Sequence, residues 1–225
     1  MTDPAGRPRA ARMAAGARRA QVLQVAQELF AREGYHHVSM DDIADAAEVS
    51  KPVLYRHFPS KLDLYLAVVD HRGEALVARI DAALAAIPTG EGDTTGRDVV
   101  RAIVRAYVEF VEQAGESFSL LFESDVTRDA DVRLRVEHAS AEAARAICRG
   151  LQGVAGLPDA EARLAGAALV GMAQVAATTR YRTGDVEVDA AVELVTDLSW
   201  RGVAGLVRGR GAASGPEAST TDDAR

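Results

Sequence analysis

The sequence predicts an all-α protein of about nine helices, and three observations lead there. Alanine is everywhere, and with leucine, arginine and glutamate it favours helix. Runs that would read as strands are few, and aromatic residues make up only 5% of the chain. Apolar residues recur at three- and four-residue spacing, which lines one face of a helix. A chain of 225 residues holds one large domain or a small one joined to a larger, and its 48% hydrophobic content supports a sizeable core.

The elements follow in order. Residues 1–16 (MTDPAGRPRAARMAAG) are rich in Pro, Gly, Arg and Ala and are expected to be a disordered basic arm. A helix is expected from about Ala17 to Arg32, with Val22, Val25, Ala26, Leu29 and Phe30 on one face and Gly34 as its stop. In VSMDDIADAA, Ser39 is an N-cap with Asp42 three residues on, an aspartate version of the capping box. Met40, Ile43 and Ala47 give this two-turn helix its apolar stripe. After the break EVS, Ser50 caps a second short helix with Pro52 in its first turn, where the missing N–H is not needed. Leu54 and Phe58 face inward. Pro59 ends that helix, and Ser60 with Asp63 starts a long one reaching about Ile87.

A loop (PTGEGDTTG) precedes a helix over 97–114, then a short segment around Ser117–Glu123 and a helix over about Ala130–Val154. AGLPDAE breaks the chain, and two helices over about 158–182 and 188–208 close the fold. The tail from Gly209 to residue 225 carries no large apolar residue and is expected to be disordered. The domains expected are therefore 17–61, three helices with a helix-turn-helix, and 62–208, a larger helical body.

Net charge is −7, which alone argues against a nucleic-acid binder. Its distribution argues the other way: residues 1–61 carry a net of +2 and the remainder −9, and Arg7, Arg9, Arg12, Arg18 and Arg19 face only Asp3 in the first twenty positions. The single cysteine, Cys148, permits no intrachain disulfide and no cysteine-based zinc site, and reads as a small buried hydrophobe in a reducing cytoplasm. No apolar run is long enough to span a membrane, and the N-terminus lacks the apolar core of a secretory signal.

Two short helices around a three-residue break form a helix-turn-helix that needs the first helix behind it, because two turns bury little area. The second helix then leaves Lys51, Pro52, Val53, Tyr55, Arg56 and His57 on its solvent side, with Lys61 just beyond. Cations and hydroxyls suit phosphates, and the whole face suits a major groove.

VSMDDIADAAEVSKPVLYRHFPSKLDLYLAVV resembles the DNA-binding region of the TetR (tetracycline-repressor) family of bacterial regulators over roughly residues 18–70. The densest part of the likeness is S-K-x-x-L-Y-R-H-F-P-S-K, residues 50–61. The resemblance implies that Lys51, Pro52, Val53 and Arg56 read bases. Tyr55, His57 and Lys61, and Ser39 through its hydroxyl and backbone N–H, would hold phosphates; Ser50 lies in the same DNA-facing set. Glu48 stands where the family commonly has glycine.

The resemblance further implies a homodimer made mainly by the last two helices, for which Gly166, Ala167, Val170, Gly171, Val192, Val195 and Leu198 are candidates, and a near-palindromic double-stranded DNA operator. It implies an effector pocket for an unidentified small molecule, with Tyr107, Phe110, Phe118, Phe122, His138, Met172 and Gln174 as candidates by type and position. Repression is the expected sense, because occlusion needs no further surface. No cofactor or metal is expected. None of His36, His37, His57, His71 and His138 lies in a metal or di-iron spacing, and no Walker or dinucleotide-binding glycine pattern occurs, so catalysis is not expected. A helical adaptor for protein partners is the remaining alternative, and it leaves the basic aromatic face unexplained.

Overall fold

A computed structural model of the chain describes residues 9–87, 96–122, 129–155 and 158–213, with side chains placed within 16–87, 96–122, 129–149 and 158–202. All regular structure among these residues is helical: α1 (Arg9–Glu33), α2 (Met40–Ala46), α3 (Lys51–His57), α4 (Lys61–Ala85), α5 (Gly96–Ala114), a 3-10 turn (Gly115–Phe118), α6 (Ser119–Phe122), α7 (Ala130–Ala155), α8 (Asp159–Thr183) and α9 (Val188–Ala213).

Two ends differ from the sequence expectation. Helix α1 begins at Arg9, so half of the expected arm is helical. RAARMAAGARRA is built almost entirely from the two strongest helix-forming types, and one internal glycine does not outweigh them. Helix α9 likewise continues through Gly209 to Ala213, into the expected tail. Residues 1–8 and 214–225 lie outside the described residues, as do most of the expected 88–96 loop and part of the break before Pro158.

Packing divides the chain into two units, Met1–Ala82 with Glu109–Ala143, and Ala83–Val108 with Ala144–Arg225. The boundary expected at residue 61 falls inside the first of these. In that unit α1 buries Val22, Leu23, Ala26, Leu29 and Phe30, while α2 and α3 bury Ile43, Ala44, Leu54 and Phe58. Polar ties add direction to this burial. Gln21 Nε2 donates to the carbonyl of Ala47 at 3.1 Å and holds the end of α2, and Gln27 Nε2 donates to Ser117 Oγ at 3.2 Å and holds the 3-10 turn. Phe30, Tyr35 and Tyr65 stack edge-on or tilted with centroids 5.0–5.8 Å apart. Helices α4 and α7 cross where a Cβ on Gly73 would lie 2.7 Å from that of Ala139, closer than two carbons can come.

In the second unit α8 and α9 form an antiparallel pair, and α8 meets α7 at Gly166, where a Cβ would lie 3.0 Å from the carbonyl oxygen of Ala144. Helix α5 is fastened to α9 by a ladder of ion pairs. Arg97 reaches Asp197 and Glu193, both at 2.8 Å, Arg101 reaches Glu193, and Arg105 reaches Asp189 at 2.7 Å. The arginines recur every four residues on one helix and the acids every four on the other, in opposite order.

Helix α2 carries the expected capping box: Asp42 N–H donates to Ser39 Oγ at 3.1 Å and Ser39 N–H donates to Asp42 Oδ2 at 2.8 Å. Ser39→Ala is expected to lower stability by about 1 kcal/mol, read as a fall in urea midpoint at constant slope. Gly73→Val forces α4 from α7 and is expected to cost about 1–3 kcal/mol in the same assay; a neutral result would show that the crossing can open freely.

Candidate nucleic-acid interface

The turn between α2 and α3 decides how α3 is presented. Ala47 closes α2 in right-handed geometry, and Glu48 follows at φ +52°, the one non-glycine residue with positive φ among the described residues. This is the left-handed position where glycine costs nothing and a side chain costs roughly 1 kcal/mol. Backbone bonds hold it: Glu48 N–H to Asp45 O at 3.1 Å and Val49 N–H to Ala44 O at 3.0 Å. Ser50 takes the N-cap position of α3, yet its hydroxyl makes no capping bond; its carbonyl accepts from Val53 and Leu54 instead. The serine expected to cap with its side chain therefore keeps an exposed hydroxyl.

With Leu54 and Phe58 sealed inside, α3 turns Lys51, Pro52, Tyr55 and Arg56 to solvent, while Val53 and His57 are half-buried. Tyr55 is 46% exposed, an unusual setting for a large ring in a small core-poor element. Lys51, Pro52, Tyr55 and Arg56 thus share one side of α3. Its electrostatics are mixed, because α2 brings Asp41 and Asp45 to Lys51, and the exposed Glu48 stands in the turn.

Three residues assigned to DNA contact already have partners in the chain. The ammonium of Lys51 lies 2.7 Å from Asp41 Oδ2, and that bond raises its pKa. Ser39 spends its backbone N–H and its hydroxyl proton on Asp42 Oδ2, at 2.8 and 2.7 Å, so both donors expected to meet phosphate are engaged in the capping box; these bonds hold the Asp42 carboxyl below the usual range. Lys61 donates to the carbonyls of Tyr35 at 2.6 Å and Val38 at 2.8 Å and sits 4.3 Å from the centroid of the Tyr35 ring. Partial burial lowers its pKa. An ammonium has three protons, so one remains for an outside acceptor. The sequence signal for this inward role was the long flexible stem of a lysine at the first position of a helix that follows a tight loop.

The residues expected for an effector fall in both units, Phe110, Phe118, Phe122 and His138 in the first and Tyr107, Met172 and Gln174 in the second. Tyr107, Phe110 and Phe118 are buried in packed interior, and burial pushes the Tyr107 phenol up. Phe122 is half-buried with its ring 6.1 Å from that of Phe110. His138 is exposed and lines a groove of about 730 Å³ between α4 and α7 in the first unit. Met172 lines a different groove, about 540 Å³, on the outer side of α8 and α9, and Gln174 is half-buried on α8. The expected dimer residues also separate. Gly166 and Val192 are buried within the second unit and Val170 nearly so, whereas Ala167, Gly171 and Leu198 are exposed and Val195 is half-buried. Leu164, Val175 and Leu194, which were not singled out, are exposed at 74%, 62% and 66%. Close helix approach explains the buried set: small residues serve α8 against α7 first.

Residues 22–68 match the family model described as bacterial regulatory proteins, tetR family. The chain is 35% identical over 201 residues to the HTH-type transcriptional activator FasR of Mycolicibacterium smegmatis, covering 88% of each protein. It is 35% identical over 127 residues to the HTH-type transcriptional repressor Rv3405c of Mycobacterium tuberculosis, covering 54% of this chain and 68% of that one. Among solved structures it resembles a TetR-like transcriptional regulator from Rhodococcus sp. RHA1, with a TM-score of 0.64 and 30% identity over 84% of this chain and 96% of that one.

The Lys51–Asp41 pair sets a measurable condition on binding. Asp41→Asn removes the competitor for the ammonium and one negative charge, so affinity for every duplex is expected to rise and the slope of log affinity against log salt to steepen by about 1. Salt titrations on specific and unrelated duplexes check this. An unchanged slope would show that Lys51 does not exchange Asp41 for phosphate or base.

Proposed function

Because the chain belongs to the tetR family of bacterial regulatory proteins, we propose that it is a ligand-responsive transcriptional regulator that binds a near-palindromic operator as a homodimer and is released by a small-molecule effector. The observation that carries the DNA-binding half is the α3 face: Lys51, Pro52, Tyr55 and Arg56 exposed together on a helix whose opposite side, Leu54 and Phe58, is sealed. On this reading Lys51, Pro52, Val53 and Arg56 meet base edges, and Ser50, Tyr55, His57 and the third proton of Lys61 meet phosphates.

The dimer reading rests on the outer side of α8 and α9. Val175, Leu194 and Leu198 are each more than 60% exposed, and with Met172 and Val186 they line one apolar groove. A contiguous apolar surface of this kind is characteristic of an interface. A two-fold dimer spaces its recognition helices one helical turn apart on the duplex, which calls for an inverted repeat. An effector acts only if it prefers one arrangement of the dimer over the other; such coupling is typically about 1–3 kcal/mol.

Repression is the first reading, since occlusion of a promoter needs no surface beyond the operator contact. Activation is the second, favoured by the likeness to a relative described as an activator over 88% of the chain. Among the described residues no helix is long and apolar enough to cross a membrane, which suits action on DNA in the cytoplasm.

Selection of sites from a random duplex pool with the purified chain tests the proposal. An enriched inverted repeat is expected; no enrichment by a folded, dimeric protein would overturn it. Transcription in vitro from a promoter carrying the repeat separates repression from activation. Leu198→Asp places a carboxylate in the apolar face and is expected to give monomers by sedimentation and to weaken operator binding at least about tenfold. A dimer that survives this change would place the interface elsewhere.

A further inference from the structure

Helix α1 is longer than the interior it serves. Its first buried residue is Val22, yet the helix begins at Arg9. From Gly16 to Gln21 every residue is exposed, so no side of this stretch is buried. At 1.5 Å per residue, positions 9–21 make a rod of about 20 Å. The match to the family model starts at residue 22, and the rod lies ahead of it.

The charge of this segment has one sign. Arg7, Arg9, Arg12, Arg18 and Arg19 fall between residues 4 and 27, and no Asp or Glu does. The α3 face differs, because Asp41 and Asp45 act on Lys51 and Glu48 stands in the turn. Arg12, Arg19, Leu23, Ala26 and Phe30 follow one another at steps of seven, four, three and four, the register of one helix face. Where that register meets the interior it is apolar and buried; ahead of the interior it carries arginine. Neither Arg18 nor Arg19 pairs with a carboxylate among the described residues. Arg18 donates to Gln21 Oε1 at 3.1 Å, which leaves further N–H groups for an outside acceptor.

Two contacts place the start of the rod beside the recognition helix. Arg19 holds its guanidinium 4.9 Å from the centroid of the Phe58 ring, and Phe58 is the C-cap of α3. The ring of His57, one of the proposed phosphate contacts, lies 6.4 Å from that of Phe58. Gln21 donates to the carbonyl of Ala47, where α2 ends. The arginines therefore extend from the same end of the helix-turn-helix that α3 turns to solvent.

We infer that residues 9–21 of α1 form a second duplex-binding element, whose arginines lie along the phosphates flanking the operator. The inference rests on the operator-binding reading above and widens the footprint beyond what α3 can reach. Phosphates are the target because an α-helix with its side chains is about 10–12 Å across and the minor groove about 6 Å wide, so the rod lies against the backbone and does not enter that groove. A length of about 20 Å matches about six phosphates of one strand. Such contacts add affinity without reading sequence.

The test uses the full chain and two duplexes, the enriched inverted repeat alone and the same repeat with about ten base pairs of unrelated sequence, one helical turn, added at each end. The native chain is expected to bind the longer duplex at least about tenfold more tightly at low salt. Arg9→Gln/Arg12→Gln removes two cations from each chain and four from a dimer. This variant is expected to abolish the preference for the longer duplex, to lower the slope of log affinity against log salt by about 3–4, and to leave the enriched sequence unchanged. Both positions precede the first buried residue, so the unfolding midpoint is expected to hold, which excludes misfolding as the cause of weaker binding.

Three outcomes overturn the inference: equal affinity of the native chain for both duplexes, a slope that the double variant leaves unchanged, or unchanged duplex binding by a variant that has lost retention on phosphatidylglycerol vesicles, which would assign the rod to an anionic lipid surface. The slope is also read on an unrelated duplex, which needs no operator. A failed selection with that slope still lowered would sink the operator reading alone, and an enriched repeat bound without regard to its flanks would sink this inference alone.

Discussion

The helix-turn-helix rests on one burial, that of Ile43, Leu54 and Phe58 with the stripe Val22, Leu23, Ala26, Leu29 and Phe30 of α1. Helices of seven residues do not persist alone, so α2 and α3 have defined positions only while that interior is closed. Everything polar nearby refines it. Gln21 holds the end of α2, the Ser39–Asp42 box fixes its start, and Lys61 draws the α1–α2 loop onto the first turn of α4. The face proposed to meet DNA is therefore a by-product of what is hidden: with Leu54 and Phe58 inside, the rotation of α3 about its axis is fixed.

The same arrangement shows why charge balance at this surface is not simple attraction. Asp41 bonds Lys51, Asp45 acts on the same ammonium, and Asp42 and Glu48 are exposed on α2 and the turn that lead into α3. A surface with only cations would bind any duplex. Acids that must be displaced or tolerated lower affinity for all sequences, and leave contacts to the correct bases to make up the difference. On the proposed reading, specificity has a repulsive component written into α2 as well as an attractive one on α3.

Local chemistry made the front of the chain legible. Ser39, Asp42, Ser50, Pro52, Pro59 and Ser60 mark starts and stops within two or three residues of the bonds they make or replace, and such signals survive without knowledge of the tertiary fold. The ends of α1 and α9 were misplaced for the opposite reason: RAARMAAGARRA and GLVRGRGAA contain no stop signal strong enough to outweigh the neighbouring alanines and arginines. Side-chain destinations were the least legible. That Lys51 turns to Asp41 and Lys61 to two carbonyls depends on residues ten and more than twenty positions away. That His138 and Met172 line different grooves depends on which helices pair.

The ladder joining Arg97, Arg101 and Arg105 to Asp197, Glu193 and Asp189 has a consequence of another kind. Partly exposed pairs of this sort add little stability, commonly about 0–1 kcal/mol each. What they impose is a count. Because both helices repeat every four residues, sliding one past the other by a turn strands a cation at one end and an acid at the other, and the slipped state differs from the true one by whole rungs. Descendants of this sequence can exchange Val for Ile or Leu along the apolar sides of α5 and α9 with little disturbance. They cannot insert or delete a residue inside either helix without misaligning every rung beyond it. By this count, changes of length in this half of the chain are expected in the segments between helices.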